Sequence, residues 1–153
     1  MALATVVAAA PPADAAAPRC TSNGLRYYWS GGQLSPNLWI TFPAHSPNTN
    51  TFGGFGFWSC SLVQGSTGTG VKTLQQDINA CYPGLSPVLT DDGQFGSLTF
   101  AALKKVQESH GIENNGQYGP QTARTMYHRY WRMGSPGSGC SDLTSFGWPG
   151  NSG

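Results

Sequence analysis

The sequence DDGQFGSLT at residues 91–99 recurs as NGQYGPQT at residues 115–122, and six positions match at one offset of 23 residues. Each copy has an Asx-Gly pair that turns the chain, then an aromatic residue suited to a core, then a second glycine that leads into a helical pattern. The matched positions of the first copy are Asp92, Gly93, Gln94, Phe95, Gly96 and Thr99. The chain is therefore predicted to contain the same turn–helix unit twice.

Three helices are predicted around these turns, within a compact region at residues 60–132. The first helix covers residues 70–80, the second covers residues 97–110 before Gly111, and the third starts at Pro120, a residue suited to a first helical turn. In the first two helices, the positions predicted to face the core are Val71, Leu74, Ile78, Leu103 and Val106. In the third helix, they are Ala123, Met126, Tyr127 and Tyr130.

The segments outside this region have a different composition. Residues 1–19 are apolar and Ala-rich, which is typical of an export signal or a disordered start. Residues 20–59 are rich in aromatic residues, Gly and Pro, and two extended runs at 25–30 and 38–42 allow a β-hairpin before a loop. Residues 133–153 form a tail rich in Gly, Ser and Pro.

The predicted fold class is therefore mainly α. It is a small three-helix bundle with an irregular N-terminal extension that could contain a hairpin, together with disulfides. Charged residues make up 10% of the chain and the net charge is +1, so there is no electrostatic case for binding nucleic acid. No apolar run reaches the roughly 18 residues of a membrane span, and no membrane insertion is expected.

The four cysteines, Cys20, Cys60, Cys81 and Cys140, have no Cys-x-x-Cys spacing, which makes a zinc site a poor explanation. An even number of cysteines in a chain with export features indicates two disulfides. Three pairings are possible. Because Cys60 and Cys81 flank the first helix, they form a plausible local pair, and Cys20 would then join Cys140.

No catalytic site stands out in the sequence. The three histidines lie far apart without metal-ligand spacing, and neither a metal nor a cofactor is expected. Glu108 and Glu113 lie close to one predicted helix end, where solvated surface charge is the better explanation. A cell-wall hydrolase that uses Glu108, Glu113 or Asp92 is the weakest of the functional alternatives.

The region from residue 60 to residue 130 resembles the peptidoglycan-binding-like domain, a small three-helix module attached to many bacterial cell-wall hydrolases. The resemblance is carried by Leu74-Gln75, Val106-Gln107 and the two Asx-Gly-x-aromatic-Gly turns, with Asn115 where the family has Asp. Cysteines that flank the first helix resemble a variant of secreted actinobacterial proteins, and this supports the pairing of Cys60 with Cys81.

The resemblance implies non-covalent binding of peptidoglycan, with glycan and stem peptide lying near the two turns. The candidate ligand-binding residues are Asp92, Gln94, Phe95, Thr99, Gln107, Gln117, Tyr118 and Thr122. A purely structural role is also open for them, because turns need short polar side chains and cores need aromatic rings.

The expected protein is a secreted, non-catalytic monomer associated with the cell wall. As an alternative, the three-helix module is only a scaffold, and the aromatic extension, which includes Trp29 and Trp39, binds a partner protein such as a secreted hydrolase.

Overall fold

A computed structural model describes residues 17–30, 33–45, 59–135 and 138–145 of the 153-residue chain. The strands are β1 (Ser22–Ser30), β2 (Gln33–Ala44), β3 (His128–Arg132) and β4 (Ser138–Ser141). The helices are α1 (Thr69–Cys81), α2 (Ser97–Ser109) and α3 (Pro120–Thr125). Most of the predicted export segment, the aromatic residues Phe52, Phe55, Phe57 and Trp58, and Trp148 in the tail lie outside the described residues.

The sheet overturns the mainly α fold class. The four strands form one antiparallel sheet in the order β1-β2-β3-β4 beside three short helices. The predicted hairpin is confirmed as the pair β1 and β2, in which Leu25 lies opposite Thr41. The other two strands come from sequence that we interpreted as the end of the third helix and as the tail. Strand β2 pairs with β3, where Ile40 lies opposite Tyr130, and β3 pairs in turn with β4.

The first two helices are confirmed, and their predicted apolar stripes are buried. Val71, Leu74 and Ile78 of α1 are at most 1% exposed, and Leu103 and Val106 of α2 are fully buried. Helix α2 ends before Gly111, whose φ of 66° is the left-handed conformation that glycine accepts without a steric penalty. Both helices belong to one core, which also contains the aromatic residue of each turn.

The third helix is shorter than predicted. It starts at Pro120 as expected, but Met126 adopts an extended conformation (φ −73°, ψ 159°) and the chain continues into β3. Tyr127 is 42% exposed and Tyr130 packs against the sheet, so neither faces the core from a helix. The sequence HRYWR suits a strand because aromatic side chains pack well on a pleated surface, and β2 offers its unpaired edge.

A second, smaller core lies on the sheet and consists of Ile40, Phe42, Ala44 and Leu143. Two glycines lie against aromatic rings here, one against Phe42 of this core and one against Tyr130, which packs on the core. A Cβ atom on Gly24 would collide with the Phe42 ring, and a Cβ atom on Gly139 would collide with the Tyr130 ring. Glycine at these positions therefore makes room for the rings.

A buried ionic cluster joins the sheet to the helices. The Asp77 side chain of α1 and the His128 side chain of β3 are fully buried, and Oδ2 of Asp77 lies 2.8 Å from Nδ1 of His128. Arg129 donates from Nε to the other carboxylate oxygen at 3.0 Å. Nε2 of His128 lies 2.8 Å from the carbonyl oxygen of Ala123. Because each buried polar group has a partner, the cluster can fix β3 against α1 without an unpaired charge.

The disulfide pairing predicted from the sequence is wrong. Cys20 pairs with Cys60, and Cys81 pairs with Cys140, with Cα–Cα distances of 5.0 and 5.7 Å. The 13-residue helix α1 spans roughly 20 Å, while a disulfide joins Cα atoms less than about 7 Å apart. Gly70, in the first turn of α1, packs directly on Cys20. The bridge of Cys60 therefore lies at the start of α1, and Cys81 lies at its far end.

Among the helices of the described residues, none is long and apolar enough to cross a membrane.

Candidate functional site

The first turn is held by one buried glutamine of α1. Nε2 of Gln75 faces three acceptors: Oδ1 of Asp92 at 3.1 Å, the carbonyl of Gln94 at 2.9 Å and Oγ1 of Thr99 at 3.2 Å. Its Oε1 accepts a hydrogen bond from the backbone N–H of Gly93 at 2.9 Å. The turn itself is an Asx turn, in which Oδ1 of Asp92 accepts from the N–H of Gln94 at 2.9 Å.

The second turn repeats this arrangement with a glutamine of α2. Nε2 of Gln107 faces Oδ1 of Asn115 at 3.2 Å, the carbonyl of Gln117 at 2.8 Å and Oγ1 of Thr122 at 3.0 Å. Its Oε1 accepts from the N–H of Gly116 at 2.9 Å. Asn115 closes the same Asx turn with the N–H of Gln117 at 2.9 Å.

A buried side-chain amide therefore hydrogen-bonds each turn to the helix that precedes it. Gln75 and Gln107 are each 1% exposed, and every polar atom of their amides has a partner. Gln75 was absent from the residues that we predicted for the site. The signal that could have found it is the pair Leu74-Gln75, which recurs as Val106-Gln107.

Five of the eight candidate ligand-binding side chains point inward. Phe95 and Tyr118 lie in the helical core, and Thr99, Gln107 and Thr122 are at most 3% exposed within the hydrogen-bonded turns. The exposed candidates are Asp92 and Gln94, while Gln117 is half-buried. Of the eight candidates, only Asp92, Gln94 and Gln117 therefore have side chains that reach the surface, and Oε1 of Gln117 is itself buried. The other five side chains belong to the core and to the hydrogen bonds inside the turns.

The two turns differ in charge. Hydrogen bonds from the backbone N–H of Gln94 and from the Gln75 side chain lower the pKa of the Asp92 carboxyl. Its neighbour Asp91 accepts from Nε2 of Gln76 at 2.7 Å, and this bond lowers the pKa of Asp91. The first turn therefore carries two exposed carboxylates at neutral pH, whereas the second turn has the neutral Asn115.

The remaining polar candidates are scattered. Glu108 and Glu113 are exposed, His128 is buried against Asp77, and His110 is hydrogen-bonded through Nε2 to the Tyr82 hydroxyl at 2.7 Å. The described residues contain no group of three or more His, Cys, Asp or Glu side chains that could hold a metal ion.

Comparison with known proteins supports the resemblance that the turns indicated. Residues 67–126 match the family model described as a putative peptidoglycan binding domain. The chain is also 41% identical over 70 residues to the zinc D-Ala-D-Ala carboxypeptidase of Streptomyces albus G. This similarity covers 46% of the chain and 27% of the relative, so the chain spans about a quarter of that protein's length. Residues 67–126 therefore form a module of the peptidoglycan-binding domain family, as the repeated turn predicted.

Proposed function

We propose that this chain is a secreted, non-catalytic protein that binds bacterial peptidoglycan non-covalently through residues 67–126 and works as a monomer at the cell wall. The match of this module to the peptidoglycan-binding family carries the proposal. The two disulfides support an extracellular location, because such bonds persist in oxidising compartments.

The surface around the first turn suits a polar wall ligand. Asp92 and Gln94 are exposed on a turn that Gln75 fixes from behind. Helix α2 begins directly after this turn, and no side chain caps its N-terminus. Free backbone amides at this end can bond a peptide carboxylate or a sugar amide. Because the backbone of the turn is already fixed, a ligand that binds there needs little further ordering of the backbone.

The proposed protein is non-catalytic because neither its relative nor the carboxylates of the first turn support an active site. The carboxypeptidase named above shares only 27% of its own length with this chain, so its activity is not carried over. The carboxylates at the first turn are exposed to solvent, whereas a general acid on a glycan needs a pKa raised by its surroundings. The pKa values of Asp91 and Asp92 are shifted downward, which is the opposite direction.

Co-sedimentation with purified sacculi tests the proposal. We expect the oxidised protein to sediment with sacculi without releasing muropeptides into the supernatant. The double substitution Gln94→Ala and Gln117→Ala should weaken sedimentation at least fivefold, because it removes both side-chain amides. The turns should stay folded, since it is the backbone carbonyls of these residues that bond Gln75 and Gln107.

Gln121→Ala is the matched control, because Gln121 is an exposed glutamine of α3 and is not one of the candidate ligand-binding residues. Protein that remains in the supernatant at low and moderate salt would refute wall binding. Release of muropeptides that disappears on substitution of Glu108, Glu113 or Asp92 would instead revive the hydrolase.

The alternative is that the module is a scaffold and the sheet binds a partner protein. Its support is the aromatic pair Trp39 and Trp131, which lie opposite each other on β2 and β3 and are only half-buried. Trp39→Ala discriminates between the two functions. If wall binding is lost in the Gln94 and Gln117 double variant and kept in Trp39→Ala, the scaffold alternative is contradicted.

A further inference from the structure

The two disulfides differ in their exposure to solvent. Cys20 and Cys60 are 1% and 0% exposed and belong to the helical core. Cys140 of β4 is exposed, and its partner Cys81, at the end of α1, is half-buried. Because an attacking thiolate must reach a sulfur atom of the bridge, access is one of the factors that set the rate of thiol–disulfide exchange. The folded protein therefore offers one bridge to a thiol in solution and shields the other.

Helix α1 is linked to the sheet at two successive turns. Asp77 lies four residues before Cys81, and residues at this spacing share one face of a helix. Asp77 pairs with His128 and Arg129 of β3, whereas Cys81 is bonded to Cys140 of β4. The ionic cluster can therefore hold β3 on α1 without the disulfide, while the disulfide is what fastens β4 to the helix.

Strand β4 is a short strand at the edge of the sheet. It has four residues, which pair with β3 at four positions. Leu143, which follows it, is 2% exposed in the smaller core. The hydrogen bonds from Ser145 to Asp142 lie inside this same segment. Segments with few buried apolar contacts open locally at a small cost in free energy. Breaking the disulfide is therefore expected to loosen residues 138–145 before the helices.

The segment that the disulfide fastens also lines an open cavity of about 450 Å³. Asp142 and Thr144 contribute to the lining, together with Arg124 and Tyr127. Asp142 and Thr144 follow Cys140 by two and four positions. Movement of this segment would therefore change the shape of the cavity as well as the edge of the sheet.

We propose that the disulfide of Cys81 and Cys140 is a thiol-exchange site, at which a small-molecule thiol releases β4 from α1 while the disulfide of Cys20 and Cys60 stays intact. The attacking thiolate forms a new S–S bond to Sγ of Cys140, and the bond between Cys140 and Cys81 breaks. Cys81 leaves as a thiolate and takes up the proton that the attacking thiol released.

A second thiol completes the reduction. Its thiolate attacks the sulfur of the bound small molecule, and Cys140 leaves as a thiolate that is protonated in turn. Two small thiols are thereby oxidised to one small-molecule disulfide, and two electrons pass to the protein. This exchange does not depend on wall binding by residues 67–126.

Timed reduction of the oxidised full chain tests the site. The probe is glutathione in excess, the reaction is stopped by alkylation, and trypsin separates the four cysteine peptides for mass spectrometry. We expect peptides 73–104 and 133–153 to lose their link faster than peptides 20–26 and 27–72, by about tenfold or more. The first glutathione adduct should lie on 133–153, which contains Cys140.

The disulfide of Cys20 and Cys60 is the matched control within the same molecule. In concentrated guanidinium chloride, both disulfides should be reduced at similar rates, because the difference in access comes from the fold. Equal rates in the folded protein would overturn the site. So would earlier loss of the buried disulfide, no reaction with excess glutathione, or a first adduct on peptide 73–104.

The double variant Cys81→Ser and Cys140→Ser tests the release of β4 without any thiol. We expect the amides of residues 138–141 to exchange with solvent faster than in the oxidised chain, by about tenfold or more, while those of α1 and α2 keep their protection. Unchanged exchange in β4 would overturn the release. Sedimentation with sacculi is a separate measurement, so failure of wall binding leaves the reduction rates and this proposal unaffected.

Discussion

At the scale of single residues, the two turns can be compared position by position. Phe95 and Tyr118 occupy equivalent positions and are at most 2% exposed, but Tyr118 carries a hydroxyl. That hydroxyl is buried without a hydrogen-bond partner among the described residues. Burial also raises the pKa of Tyr118. An unpartnered buried hydroxyl costs stability that a phenylalanine avoids.

Exchanging the two aromatic residues tests this cost. We expect Tyr118→Phe to raise the free energy of unfolding by about 1 kcal/mol, because it removes an unsatisfied polar group. Phe95→Tyr should lower it by about 1–3 kcal/mol, because it buries one. Urea unfolding of the oxidised protein measures both. A loss of stability in Tyr118→Phe would show that the hydroxyl is bonded in solution.

Asp92 and Asn115 form a second natural comparison, which predicts a pH dependence. The folded pKa of Asp92 lies below its ordinary value of 3.8. Its stabilising contribution is therefore fully present above pH 3.8 and is lost as the pH falls through the folded pKa. Asp92→Asn should keep the turn, because Asn115 accepts the same bonds through Oδ1.

We expect the variant to lose less stability than the unmodified chain between pH 7 and pH 3, as measured by urea unfolding at each pH. Glu113→Gln, at an exposed position outside both turns, is the control. Parallel stability curves for the unmodified chain and Asp92→Asn would contradict the assignment.

At the scale of elements, a helix and the turn that follows it behave as one unit because a glutamine joins them. The two N–H groups of Gln75 lie within hydrogen-bond distance of Asp92, Gln94 and Thr99, and its Oε1 accepts from the N–H of Gly93. The turn sequences alone predicted both turns and the start of each following helix. They did not predict that Gln75 and Gln107 bond the turns, because a polar residue on an apolar helix face does not identify its partner across the fold.

Replacing this glutamine by leucine should destabilise the protein strongly. We expect Gln75→Leu and Gln107→Leu each to lower the free energy of unfolding by about 2–4 kcal/mol, because each leaves several buried turn groups unpaired. The exposed Gln121→Leu on α3 is the matched control and should stay within about 0.5 kcal/mol of the unmodified chain. If all three variants have similar stabilities, the amide bonds are not what fixes the turns.

At the scale of the whole molecule, the sheet and the helices are joined by covalent and ionic links. Two disulfides span 40 and 59 residues, and the buried Asp77 pairs with both His128 and Arg129 of β3. The strands that meet α1 come from both ends of the described chain. Strands from the sequence before and after residues 67–126 therefore pack against the family module.

Non-reducing peptide mapping checks the disulfide pairing directly. Trypsin places the four cysteines in separate peptides, at residues 20–26, 27–72, 73–104 and 133–153. We expect mass spectrometry to find 20–26 linked to 27–72, and 73–104 linked to 133–153. A link between 27–72 and 73–104 would restore the pairing that the sequence suggested and would contradict the structure. The reduced digest is the control.

The sequence by itself determined the features that depend on neighbours along the chain. These are the repeated turns, helices α1 and α2, the hairpin and the family of residues 67–126, because turn chemistry and apolar periodicity are local signals. Only the tertiary structure decided the end of α3, the four-stranded sheet, the cysteine partners and the cavity beside Arg124. Each of these depends on distances between residues far apart in sequence. The spacing of Tyr127 and Tyr130 fits one face of a helix, whereas the aromatic residues of HRYWR also suit a strand. Pairing with the edge of β2 decided in favour of the strand.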